Sequence, residues 1–344
     1  MTTHTSGPRP GQVLTRAEIH PILGGAGYAG ICPAVEKRKV LIFSDSKVGE
    51  RFGYRDGWLA EDDDIGPIFT YTGAGKRGDQ ALEGGNKAIL EHLDRGRTLH
   101  LFIAVGKVPG SDTRTHRYIG EFKVDERKPF KMRETKDELG ADRNVIVFHL
   151  RPTGLHIRRE EDTLPRATST RSRFNRSAAR LTRAYRRQRR QQLQLSDVDH
   201  VAAARDDLAD TFEESSLAAG ETIGQLEVSM RDATAELMVE LYSPTSNTVY
   251  EPTGSAASES IADAMTQLLL ARHHLRNIAH NQPLHLMVLT PELPREDLRN
   301  LLAEHGIGVV YRNEGGGFSE FEANATTAGG ISRAFRCLDC PVPA

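Results

Sequence analysis

Short apolar runs alternate with turn residues along the first 150 positions. RKVLIFSD (38–45), IFTYT (68–72), LHLFIAVG (99–106), RYIGEFKV (117–124) and NVIVFHL (144–150) are β-branched or aromatic. Each is bounded by Gly, Pro or Asp, the pattern of strands. One helix is expected from about Leu82 to Arg95, on the spacing of Ala88, Leu90 and Leu93. Many strands and few helices favour a curved β-rich sheet or barrel over residues 11–152. Beyond residue 216 the pattern changes. ATAELMVELY (233–242) and NTVYEPT (247–253) read as a hairpin across SPTS. A helix from Ser258 to about Ile278 comes next, then a buried strand PLHLMVLT (283–290). A helix PREDLRNLLAEHG (294–306) and a strand IGVVYRN (307–313) complete a second α/β domain over 216–322. Residues 153–215 read as an arginine-rich linker and helix, and 323–344 as a tail. The class is α/β in the α+β sense, with two domains.

Charge changes this picture locally. The chain has 344 residues and a net charge of −2, yet Arg151 to Arg190 holds thirteen arginines against three acids. Such a block attracts polyanions, and Arg183, Arg186 and Arg187 are candidate DNA contacts. No lysine occurs after Lys136. No run approaches 18 apolar residues, so no membrane contact is expected. Three cysteines make no disulfide framework, and the polar N-terminus lacks a secretory h-region, so the cytoplasm is expected.

Three motifs are set aside. Gly25 to Gly30 spells G-x-G-x-x-G, but Pro33 and a strand come where a dinucleotide loop needs a helix. Gly75-Lys76 lacks the spacing glycine and the Ser/Thr of a phosphate loop. Cys337-x-x-Cys340 is half a zinc site.

The stretch GWLAEDDDIGPIFTYTGAGKRGDQ (57–80) sets four acids before a strand and a glycine loop carrying Lys76 and Arg77. Holding an unstacked cytosine requires flat side chains, an acceptor for its exocyclic amine, and cations for the distorted backbone. All these types are here. The run EDDDIGPIFTYTGAGKRGDQALEGGNKAI resembles the SRA (YDG) domain that binds 5-methylcytosine. The wider stretch, from KVLIFSDSKVGERFGYRDGW to VIVFHL, is similar to the head of modification-dependent endonucleases of the McrA type. The resemblance implies an SRA-like fold. It sets the cytosine-pairing acid on Asp62, a stacking ring on Tyr71 and a hydrogen-bonding partner on Thr72. The second stacking position falls on Leu59, with Trp58 beside it as the alternative plane.

The second domain resembles the PD-(D/E)xK nucleases of restriction-type proteins, with VELYSPTSNTVYEPTG in place of the D-L-Y-D…L-Y-E-A-K-G pattern. The resemblance implies a Mg2+ pair at Glu240 and Glu251 and an accessory residue at Gln267. The lysine position is Thr253, which supplies no positive charge, and Arg231 and Arg272 are poor proton acceptors as substitutes. Three readings stay open. One is a modification-dependent endonuclease acting as a homodimer on double-stranded DNA. Another is a catalytically inactive reader whose second domain dimerises or recruits a partner. The last is a protein that binds RNA or a nucleotide.

Overall fold

The computed structural model describes residues 7–25, 29–178, 182–187, 197–276, 278 and 283–321. They fall into two units. The first runs up to Arg166 and includes Ala233–Ala235, and the second takes Ala167–Asp232 and the chain from Glu236. The expected linker is therefore divided: its first part belongs to the first unit, and its second part begins the other. Cys337 and Cys340 lie outside the described residues, as does the tail from Glu322.

The first unit is built from β1 (Val13–Thr15), α1 (Arg16–Leu23), β2 (Ile31–Ala34), β3 (Lys39–Ser44), α2 (Ser46–Gly49), β4 (Gly57–Trp58) and β5 (Phe69–Thr72). It continues with α3 (Gly84–Leu90), β6 (Thr98–Lys107), β7 (Arg114–Val124), β8 (Phe130–Lys136) and β9 (Asp142–His156). The nine strands form one sheet in the order β2-β3-β6-β7-β9-β5-β4, with β1 on β7 and β8 on β9. Only β3 and β6 pair in parallel. Register shifts interrupt the β6–β7 and β7–β9 ladders, and such bulges bend and twist long strands. All five expected strands are present. The expected helix is shorter, Gly84–Leu90, because residues 91–96 form tight turns instead of continuing it.

Helix α1 escapes the periodicity reading because it is short and contains Pro21. Its start is fixed by a capping box. The Thr15 hydroxyl accepts the Glu18 N–H, and the Glu18 carboxylate accepts the Thr15 N–H at 2.8 Å. Its buried side packs Ile19 and Leu23 against Leu41, Phe43 and Phe102.

The four acids of the 61–64 run each meet a different arginine. Glu61 pairs with Arg166 at 3.0 Å, Asp62 with Arg158 at 2.6 Å, Asp63 with Arg151 at 2.5 Å, and Asp64 with Arg127 at 2.9 Å. Arg151 is buried and also donates to the buried Asp125 at 2.5 Å. One guanidinium thus ties the acidic turn to the end of β7 and to β9.

The second unit contains β10 (Arg171–Asn175), α4 (Asp197–Ala218), β11 (Gly224–Ser229), β12 (Glu236–Ser243) and β13 (Thr248–Pro252). It is completed by α5 (Ser258–Leu275), β14 (His285–Thr290), α6 (Glu296–Glu304), β15 (Ile307–Arg312) and β16 (Phe318–Phe321). Its seven strands lie side by side in chain order. The pairs β13–β14 and β14–β15 are parallel, joined through α5 and α6. Alternation sorts the core: Leu286 and Val288 face α5, while Met287 and Leu289 face Leu208 and Phe212 of α4. Helix α5 buries Ile261, Ala264, Leu268, Ala271 and Leu275 at helical spacing. Among the described residues no helix is long and apolar enough to cross a membrane.

Breaking a buried pair strands a charge, whereas exposed pairs contribute little. Asp125→Ala is expected to cost about 3–5 kcal/mol in urea denaturation, and Asp64→Ala, at an exposed pair, far less. Equal losses would refute the clasp. The Arg151 hydrogen bond holds the Asp63 carboxyl well below the usual range, against the opposing effect of burial. Its stabilising contribution is complete above the ordinary carboxylate value of about 4 and drains away as pH falls through the lower folded value. The stability gap between wild type and Asp63→Asn should therefore close in acid.

Candidate functional site

A cavity of about 1010 Å³ opens in the first unit. Strand β5 supplies Tyr71 and Thr72 to its wall, and β3 supplies Phe43 and Ser44. The loop before β4 supplies Tyr54 and Asp56, and the loop after β5 supplies Gly73 to Lys76.

Asp56 is the polar centre of this wall. Its carboxylate accepts the Thr72 N–H at 2.8 Å and the Ser44 hydroxyl at 2.8 Å. Burial pushes the Asp56 carboxyl above its ordinary value, and these hydrogen bonds hold it down only in part. Burial, then the charges of Asp56 and Tyr54, push the Tyr71 phenol well above 10, so it stays neutral. The site therefore offers two phenol rings and one half-buried carboxyl whose remaining lone pairs can meet a ligand.

The glycine loop is held open by side chains of the D-Q…N run. Gln80 donates to the carbonyls of Gly73 at 2.6 Å and Gly75 at 3.2 Å, while its own oxygen accepts the Ile146 N–H at 2.9 Å. Asn86 takes the Ala74 N–H at 2.7 Å and donates to the Ala74 carbonyl at 2.9 Å. Arg143, buried, donates to the carbonyls of Gly75 and Phe52 at 2.6 and 2.7 Å, and the Tyr54 hydroxyl donates to Gly75 at 2.6 Å. Glycine at 73 is required by this closeness, since a Cβ there would lie 2.7 Å from Asn86 Oδ1. Lys76 lines the cavity with its ammonium 5.6 Å from the Phe52 ring centre. Arg77 lies outside it, largely exposed and 3.4 Å from Glu138.

Three expected pocket residues lie elsewhere. Trp58 is fully buried against Phe69 and Phe122, with ring centres 5.4 and 5.7 Å away. Leu59 is buried beside it, and Asp62 is taken by Arg158. None of the three lines the cavity. The wall carries instead a carboxyl at Asp56 and a further phenol ring at Tyr54. Both stand in GYRDGW, where polar residues between two glycines were the available signal.

In the second unit Glu240 and Glu251 sit on neighbouring antiparallel strands, as the hairpin implies. Their surroundings are basic. Arg205 approaches Glu240 at 2.6 Å and Glu251 at 3.6 Å. Arg186 donates to Glu240 at 3.0 Å and to Asp210 at 2.5 Å. Burial alone would raise the Glu240 carboxyl, but Arg205 and Arg186 outweigh it and hold it well below the usual range. Thr253 is buried, and its hydroxyl donates to the Ser255 carbonyl at 2.9 Å. Gln267 lies on the exposed side of α5, away from the buried stripe, and Arg272 donates to the His305 carbonyl at 2.7 Å.

The three candidate arginines of the arginine-rich segment also meet acids of the same unit. Arg186 is buried on Glu240 and Asp210, Arg183 lies 3.8 Å from Glu213, and Arg187 pairs with Glu214. Positions 183, 186 and 187 form one face of a helix, matched by 210, 213 and 214 on α4. Arg186 is thus a buried counter-ion to two acids. Among the described residues no group of three His, Cys, Asp or Glu is arranged to hold a metal.

Several known proteins resemble parts of the chain. The sulfur-binding and SRA domains of ScoMcrA, complexed with phosphorothioated DNA, are 23% identical over 46% of this chain and 43% of that one, with a TM-score of 0.31. The type IV phosphorothioation-dependent restriction endonuclease ScoMcrA is 19% identical over 60% of this chain and 48% of that one, TM-score 0.32. The DNA recognition domain of the cytosine modification-dependent restriction endonuclease LpnPI is 14% identical over 38% and 64%, TM-score 0.30. The chain spans less than two thirds of each. No protein of curated function matches it. Residues 10–168 match the family described as "ScoMcrA-like, SRA domain". The part of the chain that builds the cavity is therefore an SRA domain of the ScoMcrA type.

Proposed function

We propose that this protein reads modified DNA: the first unit takes a 5-modified cytosine out of a duplex and holds it in the cavity. The observation that carries this reading is the convergence of Tyr54, Tyr71 and the half-buried Asp56 in one cavity, beside a clasped glycine loop that carries Lys76. The phenol rings offer stacking surface. A carboxylate accepts the exocyclic amine of cytosine and has no match in the carbonyl of thymine. Unstacking costs a few kcal/mol, offset by stacking and by cations on the backbone, so affinity falls steeply with salt. The match to an SRA domain supports the same reading.

The second unit we read as a scaffold that does not cut. Two catalytic acids need free oxygens for magnesium, and here Arg186 and Arg205 occupy those of Glu240 and crowd Glu251. The residues present do not fit a magnesium pair, and no cleavage step is assigned to them.

Matched duplexes, unmodified or carrying 5-methylcytosine, should shift selectively in a gel and yield no fragments with magnesium, manganese or chelator. Asp56→Ala should abolish the selectivity and Asp62→Ala should retain it. The opposite pattern would move the acceptor back to Asp62. Metal-dependent fragments that disappear in Glu251→Ala would restore the nuclease reading. Glu240→Ala, which leaves the buried Arg186 with Asp210 but without its second acid, should lower stability measurably; a ligand of an open metal site would be removed at little cost.

A further inference from the structure

Arg117, Arg151 and Arg186 are buried, and each meets two acids. Arg143 differs. It is 2% exposed, yet its guanidinium donates to the uncharged carbonyls of Phe52 and Gly75. Among the described residues it makes no ion pair, and the ring it approaches, Tyr54 at 5.6 Å, is neutral. Carbonyl dipoles satisfy N–H groups but leave the net charge in place.

Two more positive charges stand on the loops that Arg143 holds. Phe52 follows Arg51 and Gly75 precedes Lys76, so one guanidinium fixes the backbone beside both cations. The Tyr54 hydroxyl adds a bond across the same loops, to Gly75 at 2.6 Å. The Arg51 guanidinium lies 4.8 Å and the Lys76 ammonium 5.6 Å from the centre of one ring, that of Phe52. Both side chains are exposed, both line the cavity, and neither makes an ion pair among the described residues. The acids on the cavity wall are engaged elsewhere. Asp45 pairs with Arg114, Asp112 pairs with Lys107 at 2.6 Å, and Asp56 accepts from Ser44 and Thr72. A ring face attracts cations but carries no net charge. Three like charges are therefore gathered at these loops, and no acid is in contact with any of them.

We infer, on the base-reading proposed above, that Arg51 and Lys76 hold one backbone phosphate, that of the nucleotide whose base enters the cavity. The uncompensated charge selects an anion. A base drawn into the cavity brings one with it, because its sugar is joined to a phosphate on either side. The arginine fork meets two phosphate oxygens at once, and the lysine adds a point charge. Loops already fixed by Arg143 and Tyr54 lose little freedom when the phosphate arrives. Phosphate contacts carry no sequence information, so this pair holds the backbone while Tyr71 and Asp56 face the base.

The test removes one phosphate charge at a time. A duplex with a single 5-methylcytosine carries an uncharged methylphosphonate in place of each phosphate in turn along the modified strand. Binding of the full chain is measured by fluorescence anisotropy at fixed salt. In the wild type, a substitution next to the modified nucleotide should weaken binding about tenfold, as the loss of a charge-assisted contact does. In the double variant Arg51→Gln, Lys76→Gln the same substitution should change affinity by less than about twofold, the range of uncoupled groups. Both positions are exposed, so the variant keeps the fold, which its thermal unfolding verifies. Equal losses in the two proteins, or no loss in the wild type, with the preference for methylated over unmodified duplex intact, would overturn the phosphate site alone. Absence of that preference in the wild type would overturn the base-reading itself.

Discussion

A guanidinium keeps its proton at every pH a protein survives, so each arginine drawn into the interior obliges the chain to bring acceptors with it. Arg117, Arg143, Arg151 and Arg186 are all buried here. Their partners are Glu161 and Asp162, the carbonyls of Phe52 and Gly75, Asp63 and Asp125, and Glu240 and Asp210. Within each unit these bonds join segments that are far apart in sequence. In the first unit Arg143 fixes loops that line the cavity, and in the second Arg186 closes on the acids. A lysine would do this poorly, since it sheds its charge on burial and lacks the planar fork that reaches two partners at once.

The same requirement explains the order of residues that marks the chain. Acids, strand, glycine loop and Asp-Gln…Asn run are contiguous because they form one assembly. The acids bind arginines of the flanking strands and loops, the strand brings Tyr71 and Thr72 to the cavity, and the amide side chains hold the loop by its backbone. Gln80 and Asn86 together meet backbone groups of Gly73, Ala74, Gly75, Ala81 and Ile146. The loop is thus positioned before any ligand arrives, which lowers the ordering cost of binding.

The strands were legible because apolar runs between turn residues are a local signal, and so were Tyr71 and Thr72. Asp56 was not, because its role depends on Ser44 and Thr72 arriving from two other strands. Helix α1 was hidden by its length and by Pro21. In the arginine segment the internal ion pairs were not foreseen, for a different reason. Its charge was visible, but so was the face of Asp210, Glu213 and Glu214 that neutralises it, about one helix further on. A charge run has to be read together with the nearest run of opposite sign before it is assigned to an external partner.

The pairing of the 61–64 acids bears on how a polyanion would experience this surface. Four bare carboxylates would repel a phosphate backbone over roughly a Debye length, about 8 Å at physiological salt. With Arg127, Arg151, Arg158 and Arg166 each 2.5 to 3.0 Å away, they become close dipoles. The potential of a dipole falls off faster than that of a single charge, so the turn is electrically quiet at a distance. Lys76 and Arg51, on the cavity wall, make no ion pair among the described residues. A polyanion nearing the first unit would therefore not be deflected at long range by this acidic turn.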